Sequence, residues 1–83
     1  MPTFGEKLRK LRKHQGLSQA DLALLLGYTD RSQIAFLELG QRNPTVEVVL
    51  KLSDLFGVTT DQLIRDELDV DPGFTASDGE DND

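Results

Sequence analysis

The chain has 83 residues, which suffices for one small domain. It contains no cysteine, so the composition excludes a disulfide framework and a cysteine-based zinc site. The one histidine, His14, stands among lysines and arginines that disfavour a bound cation, and no phosphate-binding loop is present. We therefore expect no catalytic site, metal site, cofactor or small-molecule substrate. The sequence also lacks a signal peptide and a long apolar run, which favours a cytoplasmic protein without a membrane partner.

Charge is distributed unevenly along the chain. The formal net charge is −6, yet residues 1–65 carry all nine Lys and Arg against seven acids, whereas residues 66–83 carry eight acids and no base. The sequence is thus divided into a mildly basic domain, residues 1–65, and an acidic C-terminal tail, residues 66–83. Because the tail is rich in Asp, Gly and Ser and has few apolar residues, we interpret it as disordered and as a solubilising segment.

Two helices are predicted in the first third of the chain. The first covers about residues 3–15 and begins with a capping box in which Thr3 is the cap and Glu6 its partner. The second covers about residues 18–26 and begins at a serine cap. Gly27 follows it, and we expect this glycine to end the helix in a left-handed conformation.

Three further helices are predicted before the acidic tail. The third is capped by Asp30 or Thr29 and reaches about Leu39, the fourth covers residues 45–56, and the fifth covers about residues 60–65. No strand pattern is present, so the predicted fold is all-α, a compact five-helix bundle. The expected inward-facing residues of these helices are Ile34, Leu37, Val46, Val49, Leu50, Leu52, Ser53, Phe56, Leu63 and Ile64.

Residues 17–44 have the layout of a helix-turn-helix. Two short helices are joined by a tight turn that contains Gly27, and Gly40 ends the second of them. In such an element the second helix can lie in the major groove of DNA. Because the rest of the chain offers no chemistry, we expect the function to depend on this element or on a surface close to it.

The motifs as a set resemble the Cro and phage-repressor type of helix-turn-helix proteins. The resemblance covers about residues 4–64, and although each motif alone is common, their order and spacing together are specific. One interval departs from the commonest pattern, since the segment from Gly27 to Ile34 is one residue longer. The motifs are LRKLR at 8–12, GLSQADLA at 16–23, IAFLELG at 34–40, RNP at 42–44 and LFGVTTDQLI at 55–64.

The resemblance implies a lambda-repressor-like, five-helix DNA-binding domain that binds a palindromic operator, commonly as a homodimer, and usually represses transcription. A phage repressor, an antitoxin and a restriction–modification controller all fit it. By analogy with such proteins, the dimer surface is expected around the fourth and fifth helices. Its expected residues are Phe56, Gly57, Val58 and Ile64.

The start of the third helix carries the expected base contacts. In this fold that part of the helix meets base edges. Arg31 is suited to guanine, and Gln33 is suited to adenine or to a phosphate, with Ser32 between them. The longer turn leaves open which of Asp30, Arg31 and Ser32 points at the bases.

Three residues that flank this helix in the sequence, one before it and two after it, are expected to bind the DNA backbone. Gln19 follows the cap of the second helix, where its amide and nearby N–H groups suit a phosphate. Arg42 and Asn43 lie in the loop before the fourth helix, which similar proteins use to hold the backbone. Arg42 is the preferred phosphate contact of that pair, with a solvated loop arginine as the alternative.

Phe36 and Leu39 are unusual for a DNA-reading helix because relatives often carry polar residues there. Three interpretations stay open for them: burial against neighbouring helices, contact of Phe36 with a thymine methyl, and contact with a protein partner. The last would make the chain a protein-interaction module that has lost DNA binding.

Charged residues outside the helix-turn-helix have two further expected roles. The resemblance implies a structural ion pair between Arg12 and Glu38, which would join the first and third helices. The other bases of residues 7–13 are interpreted chiefly as a solvated helix face, with direct DNA contact as the less favoured alternative. For the acidic tail, competition with DNA for the basic face is the alternative to simple solubility.

Overall fold

The structure, a computed structural model, describes residues 3–70, and within this range the chain forms five α-helices and no strand. This confirms the predicted all-α, five-helix fold. No helix between residues 3 and 70 has the length and apolar character needed to cross a bilayer. The helices are α1 (Phe4–His14), α2 (Gln19–Leu26), α3 (Ser32–Glu38), α4 (Val46–Phe56) and α5 (Thr60–Ile64).

Local capping signals determine where most helices begin. The hydroxyls of Thr3, Ser18 and Thr59 each accept a hydrogen bond from the backbone N–H three residues on, and each forms a complete capping box. At the end of α2, Gly27 adopts the predicted left-handed conformation, with φ of 83°. The box at Thr3, the cap at Ser18 and the conformation of Gly27 were predicted from the sequence because each depends on residues within one turn of the helix end.

The cap of α3 differs from the prediction. Arg31, rather than Asp30 or Thr29, is the N-cap residue, and it makes no side-chain capping bond because its backbone is already helical. The Asp30 carboxylate instead accepts the N–H of Ser32 at 2.9 Å. That bond stabilises the charged form and lowers the pKa of Asp30 below its ordinary value.

The helices pack around one apolar core, with α3 held against both α1 and α2, and α5 held against α4 and α1. Ile34 and Leu37 of α3 are buried as predicted, in the same core cluster as Leu22 of α2 and Leu52 of α4. Because α3 packs against both α1 and α2, the core fixes its position relative to α2. The face of α3 that points away from these helices stays available for contacts with other molecules.

Three predicted core residues lie on the surface instead. Val46, Leu50 and Ile64 are 77%, 53% and 58% exposed. The buried side of α4 includes Val48, which the prediction left out, together with Val49, Leu52 and Phe56. Since residues four apart share a helix face, a core stripe that includes Val48 and Leu52 turns Val46 and Leu50 away from it.

Lys7 is the most deeply buried charged residue of the described chain. It has no solvent-exposed surface, and its Nζ donates hydrogen bonds of 2.6 Å to the carbonyl oxygens of Gln62 and Arg65. A cation at this position complements the C-terminal end of α5, where carbonyls lack intrahelical donors. The interpretation of residues 7–13 as a solvated face is therefore wrong for Lys7, whose bonding partners lie more than fifty residues away in sequence.

Ordered packing continues past the predicted domain boundary at residue 65. Val70 is fully buried in the core, and Lys10 Nζ lies 3.0 Å from Asp69 Oδ2 and 3.0 Å from the Val70 carbonyl oxygen. The Lys10 hydrogen bond lowers the pKa of Asp69. Residues 66–70 thus belong with the domain rather than with a disordered tail, because Val70 fills the core beside α1. The predicted tail over 71–83 lies outside the described residues.

Gly5 lies where the backbones of α1 and α3 meet. A Cβ atom placed on Gly5 would lie 2.2 Å from the carbonyl oxygen of Glu38 and 2.7 Å from that of Leu37. No side chain fits in this space without separation of the two helices. The sequence analysis missed this role, since the close approach depends on a residue 33 positions further along the chain.

We expect Gly5→Ala to lower the free energy of unfolding by about 1–3 kcal/mol, the usual cost of overpacking. The direction of the change in the free energy of unfolding is informative, because glycine to alanine in an exposed helix interior would stabilise the protein by about 0.5–1 kcal/mol. Urea unfolding followed by circular dichroism measures the effect, with Lys13→Ala, at an exposed position of α1, as the control. A variant more stable than the wild type would contradict the close contact.

Candidate nucleic-acid interface

The α2–α3 pair presents the polar start of α3 at the surface. Arg31 is exposed, and Ser32 and Gln33 are partly exposed, while Ile34 immediately after them is fully buried. Asp30 is engaged with the backbone N–H of Ser32. Among the three residues that the longer turn left open, the geometry therefore favours Arg31 as the freely projecting side chain.

Three of the predicted contact residues lie together beside this helix start. Arg42 Nη1 donates a hydrogen bond of 3.0 Å to Oε1 of Gln33. The guanidinium carbon of Arg42 also lies 5.4 Å from the centre of the Phe36 ring, within cation–π range. Arg42 thus bridges the loop and α3. Asn43, next to it in the chain, is exposed.

Phe36 and Leu39 have different surroundings. Phe36 is partly buried and has Arg42 over its ring, whereas Leu39 is 70% exposed. Neither residue belongs to the buried core. The interpretation of burial against neighbouring helices does not describe Leu39, and it describes Phe36 only in part.

Glu38 joins three helices on the opposite side of α3. Its Oε2 accepts a 2.6 Å bond from Arg12 Nε, and its Oε1 accepts 3.2 Å bonds from Arg12 Nη2 and from Gln19 Nε2. Arg12 also donates to the Leu17 carbonyl oxygen at 2.9 Å. The two charged side chains are 10% and 6% exposed. The structure therefore contains the expected Arg12–Glu38 pair. It also contains a bond from Gln19 to Glu38 that could not be predicted from the sequence, because the two residues lie 19 positions apart.

This bond affects the proposed phosphate contact at the start of α2. One amide hydrogen of Gln19 is directed at Glu38, which leaves the second amide hydrogen available to a phosphate oxygen. Gln19 is partly exposed. Because Glu38 is held by Arg12, the orientation of Gln19 depends indirectly on the ion pair.

The predicted dimer surface requires a correction. Phe56, at the end of α4, and Val58, between α4 and α5, are each only 8% exposed and belong to the hydrophobic core of the single chain. Gly57 and Ile64 are exposed. The apolar groove actually found at this end of the domain is lined by residues of α1, α4, α5 and the loop before α4, namely Phe4, Asn43, Pro44, Val46, Val49, Leu50, Thr60 and Ile64.

Residues 3–70 contain no group of three or more histidine or carboxylate side chains arranged to hold a metal ion. At the start of α3 and in the loop beside it, the polar side chains of Arg31, Ser32, Gln33 and Arg42 are instead guanidinium, hydroxyl and amide groups. Such groups form hydrogen bonds with phosphates and base edges.

A family model described as helix-turn-helix matches residues 8–63, about two-thirds of the chain. The chain belongs to this helix-turn-helix family. The match covers all of α2, α3 and α4 and most of α1 and α5. The resemblance drawn from the sequence motifs is confirmed, and the family is one of DNA-binding regulators rather than of enzymes.

Relatives of this helix-turn-helix protein include phage and prophage regulators. Over 62 residues the chain is 40% identical to YonR, an uncharacterized prophage-derived transcriptional regulator of Bacillus subtilis, a match covering 75% of this chain and 56% of that protein. It is 33% identical over 69 residues to RstR, the cryptic phage CTXphi transcriptional repressor of Vibrio cholerae, covering 82% of this chain and 61% of that one. The chain thus spans little more than half the length of these curated relatives.

Two solved structures share the fold. The restriction–modification controller protein C.AhdI from Aeromonas hydrophila superposes with a TM-score of 0.64 at 43% identity, covering 74% of this chain and 91% of that one. The P22 c2 repressor, crystallised with a synthetic operator, superposes with a TM-score of 0.72 at 28% identity, covering 78% and 97%. Both confirm the lambda-repressor-like architecture.

Proposed function

We propose that this helix-turn-helix protein is a sequence-specific DNA-binding transcriptional regulator that reads bases in the major groove with the start of α3. The observation that carries the proposal is the exposed polar start of α3, with Arg31, Ser32 and Gln33 projecting from a helix whose other side is locked into the core. Arg31 is suited to the O6 and N7 acceptors of guanine.

Backbone contacts on both sides of α3 would set its register on the duplex. Gln19 at the start of α2 and Asn43 in the loop before α4 are both accessible and can donate hydrogen bonds to phosphate oxygens. Contacts of this kind position the protein without reading sequence. Residues 1–65 supply the positive charge, whereas the whole-chain charge of −6 would not favour DNA.

Selection from a randomised duplex library at near-physiological salt tests the proposal. We expect the wild type to enrich a palindromic site, and we expect the double variant Arg31→Ala, Gln33→Ala to bind that site at least roughly 30-fold more weakly, because each lost base contact costs about 1–3 kcal/mol. Arg9→Ala, at an exposed position of α1, is the matched control. Retention of duplexes without any sequence preference would contradict base reading by α3.

The same proposal includes a homodimer, since one domain with few base contacts discriminates poorly. Two copies on a palindrome would place their α3 helices about 34–36 Å apart. The exposed apolar side chains of Val46, Leu50 and Ile64, around the groove described above, support this surface. Phe56 and Val58 contribute indirectly by holding α4 and α5 together.

We expect Ile64→Lys to weaken self-association at least tenfold, because the change places a charge in an apolar contact that costs more than about 1.4 kcal/mol. Sedimentation equilibrium over a range of concentrations measures this. Leu24→Lys serves as the control, since Leu24 is also an exposed apolar residue, at 75% against 58% for Ile64, but lies on α2. If Ile64→Lys and Leu24→Lys self-associate with the same dissociation constant, the groove is not the dimer surface.

Repression is the simplest regulatory outcome that we propose, because occupancy of a promoter is enough to exclude polymerase and no further contact is needed. A second candidate function, binding of a protein partner, is favoured by the 70% exposure of Leu39 beside the expected DNA face. Leu39→Ser distinguishes the two. Unchanged DNA binding together with loss of a co-purifying protein would support the interaction module.

A further inference from the structure

Arg42 has partners within the protein that a simple phosphate contact does not need. Its Nη1 donates to Gln33 Oε1 at 3.0 Å, and its guanidinium lies 5.4 Å from the Phe36 ring centre. Gln33 and Phe36 are three residues apart on α3 and therefore lie on the same helix face. Arg42 is exposed and the other two are partly exposed, so all three are available at the expected DNA surface.

The chemistry of arginine determines the orientation of the Gln33 amide. A guanidinium can only donate hydrogen bonds, so the amide group that faces it must be the oxygen. The amide nitrogen Nε2 is then the end of Gln33 directed away from Arg42. A free glutamine can turn either end toward a base, whereas this one presents a donor.

We propose that Arg42 is a positioning residue that fixes the Gln33 amide, so that Gln33 donates to the base edge and prefers guanine over adenine. This inference rests on the proposed function. Guanine displays two adjacent acceptors, O6 and N7, in the major groove, whereas adenine displays the N7 acceptor beside the N6 donor. The bidentate adenine pairing expected from the sequence needs the Gln33 oxygen to face the N6 donor of adenine. Arg42 uses one lone pair of that oxygen and holds it on the Arg42 side of the amide, turned away from the position that adenine pairing requires.

The contact with Phe36 supports the same role. The Arg42 guanidinium lies over one face of the Phe36 ring, and this contact limits the movement of both groups. Two side chains of α3, Gln33 and Phe36, therefore hold the guanidinium in place. Arg42 reaches them from the loop that follows Gly40, whose φ of 76° turns the chain back toward α3. The loop thereby contributes to base choice without touching a base.

A positioning role and a phosphate-binding role predict different measurements. Loss of a phosphate contact weakens binding to every duplex by the same factor and lowers the log–log salt slope by about 0.9. Loss of a positioning residue changes the preference among bases at one base pair of each half-site. The base preference is therefore the readout that separates the two.

The test is a double-mutant cycle with Arg42→Met, Gln33→Met and the double variant. Each is offered the duplex enriched by the wild type and the set of its single base-pair substitutions, in equilibrium competition at fixed salt. Both substituted residues are outside the core, and circular dichroism melting verifies that each variant is folded. Gln33→Glu is a further variant, which keeps an acceptor for Arg42 and removes the donor.

We expect the wild type to prefer guanine over adenine by roughly tenfold at the base pair that Gln33→Met identifies. Arg42→Met should reduce that ratio to about twofold or invert it, with no further change in the Gln33→Met background. Gln33→Glu should abolish the guanine preference.

Three results would overturn the inference while the proposed function stands. In the first, Arg42→Met binds every duplex more weakly by the same factor and leaves the guanine-to-adenine ratio unchanged. In the second, Arg42→Met changes that ratio equally in the wild-type and Gln33→Met backgrounds. In the third, Gln33→Met changes the base preference at no position. If the wild type enriches no sequence, the proposed function itself fails, and this inference fails with it.

Discussion

Glu38→Ala is expected to lower the free energy of unfolding by about 3–5 kcal/mol, the range found when one partner of a buried ion pair is removed. The Arg12 side chain is only 10% exposed, and alanine at 38 would leave its charge without a counter-ion in the interior. The same change removes the acceptor of Gln19. Urea unfolding followed by circular dichroism gives the magnitude.

Glu47→Ala is the matched control for Glu38→Ala. Glu47 also pairs with a base, Lys51 at 3.5 Å, but its side chain is 78% exposed, so its loss should cost no more than about 0.5 kcal/mol. We also expect the folded fraction of Glu38→Ala to keep most of its DNA affinity, since Glu38 supports α3 and Gln19 rather than contacting bases. Similar losses of stability in the two variants would show that burial does not strengthen the Arg12–Glu38 pair.

Lys7→Met is expected to lower the free energy of unfolding by about 2–4 kcal/mol. Methionine retains the apolar stem, but the carbonyl oxygens of Gln62 and Arg65 lose the charged donor that lies 2.6 Å from each. An unsatisfied buried acceptor costs more than the net contribution of a hydrogen bond. Here the Gln62 oxygen loses its charged donor, whereas the Arg65 oxygen keeps the N–H of Leu68 at 3.1 Å. The effect should be largest at α5, which has only five residues and depends on tertiary contacts.

Amide hydrogen exchange across α5, together with urea unfolding, measures the effect of Lys7→Met. Lys51→Met is the control, because Lys51 lies at the surface and makes one long bond of 3.4 Å to a carbonyl oxygen. A Lys7→Met variant as stable as the wild type would mean that the apolar stem, rather than the ammonium group, holds α1 against α5.

The difference between features that the sequence predicted and those that it missed follows from their range. The box at Thr3, the cap at Ser18 and the turn at Gly27 depend on neighbours within four residues, so their residue types suffice to predict them. Lys7 was misinterpreted because its partners are 55 and 58 residues away, and nothing in its own helix marks it as buried.

Faces of short helices were predicted less well than helix bounds. An apolar residue beside a core stripe fits the pattern as well as one within it, which is how Val46 and Leu50 were placed inward and Val48 was omitted. Phe56 and Val58, which were expected on an exposed surface, are buried for a related reason. A resemblance indicates only the segment in which a dimer surface is expected, whereas packing decides which side chains of that segment are exposed.

The candidate site was predicted as a set of positions rather than as a set of contacts. Gln33, Phe36 and Arg42 were each selected from the sequence, and the structure brings them together through one hydrogen bond and one cation–π contact. The nine-residue separation between Gln33 and Arg42 gave no indication of that bond. Their roles in DNA recognition stay predictions.

The central claim is that the start of α3 reads base edges in the major groove, and methylation interference on the selected duplex tests it most directly. Methylation of guanine N7 alters the major groove, whereas methylation of adenine N3 alters the minor groove. We predict that N7 methylation within each half-site blocks binding and that the Arg31→Ala, Gln33→Ala variant loses this sensitivity. Interference confined to adenine N3, or none at any base, would contradict reading of the major groove by α3.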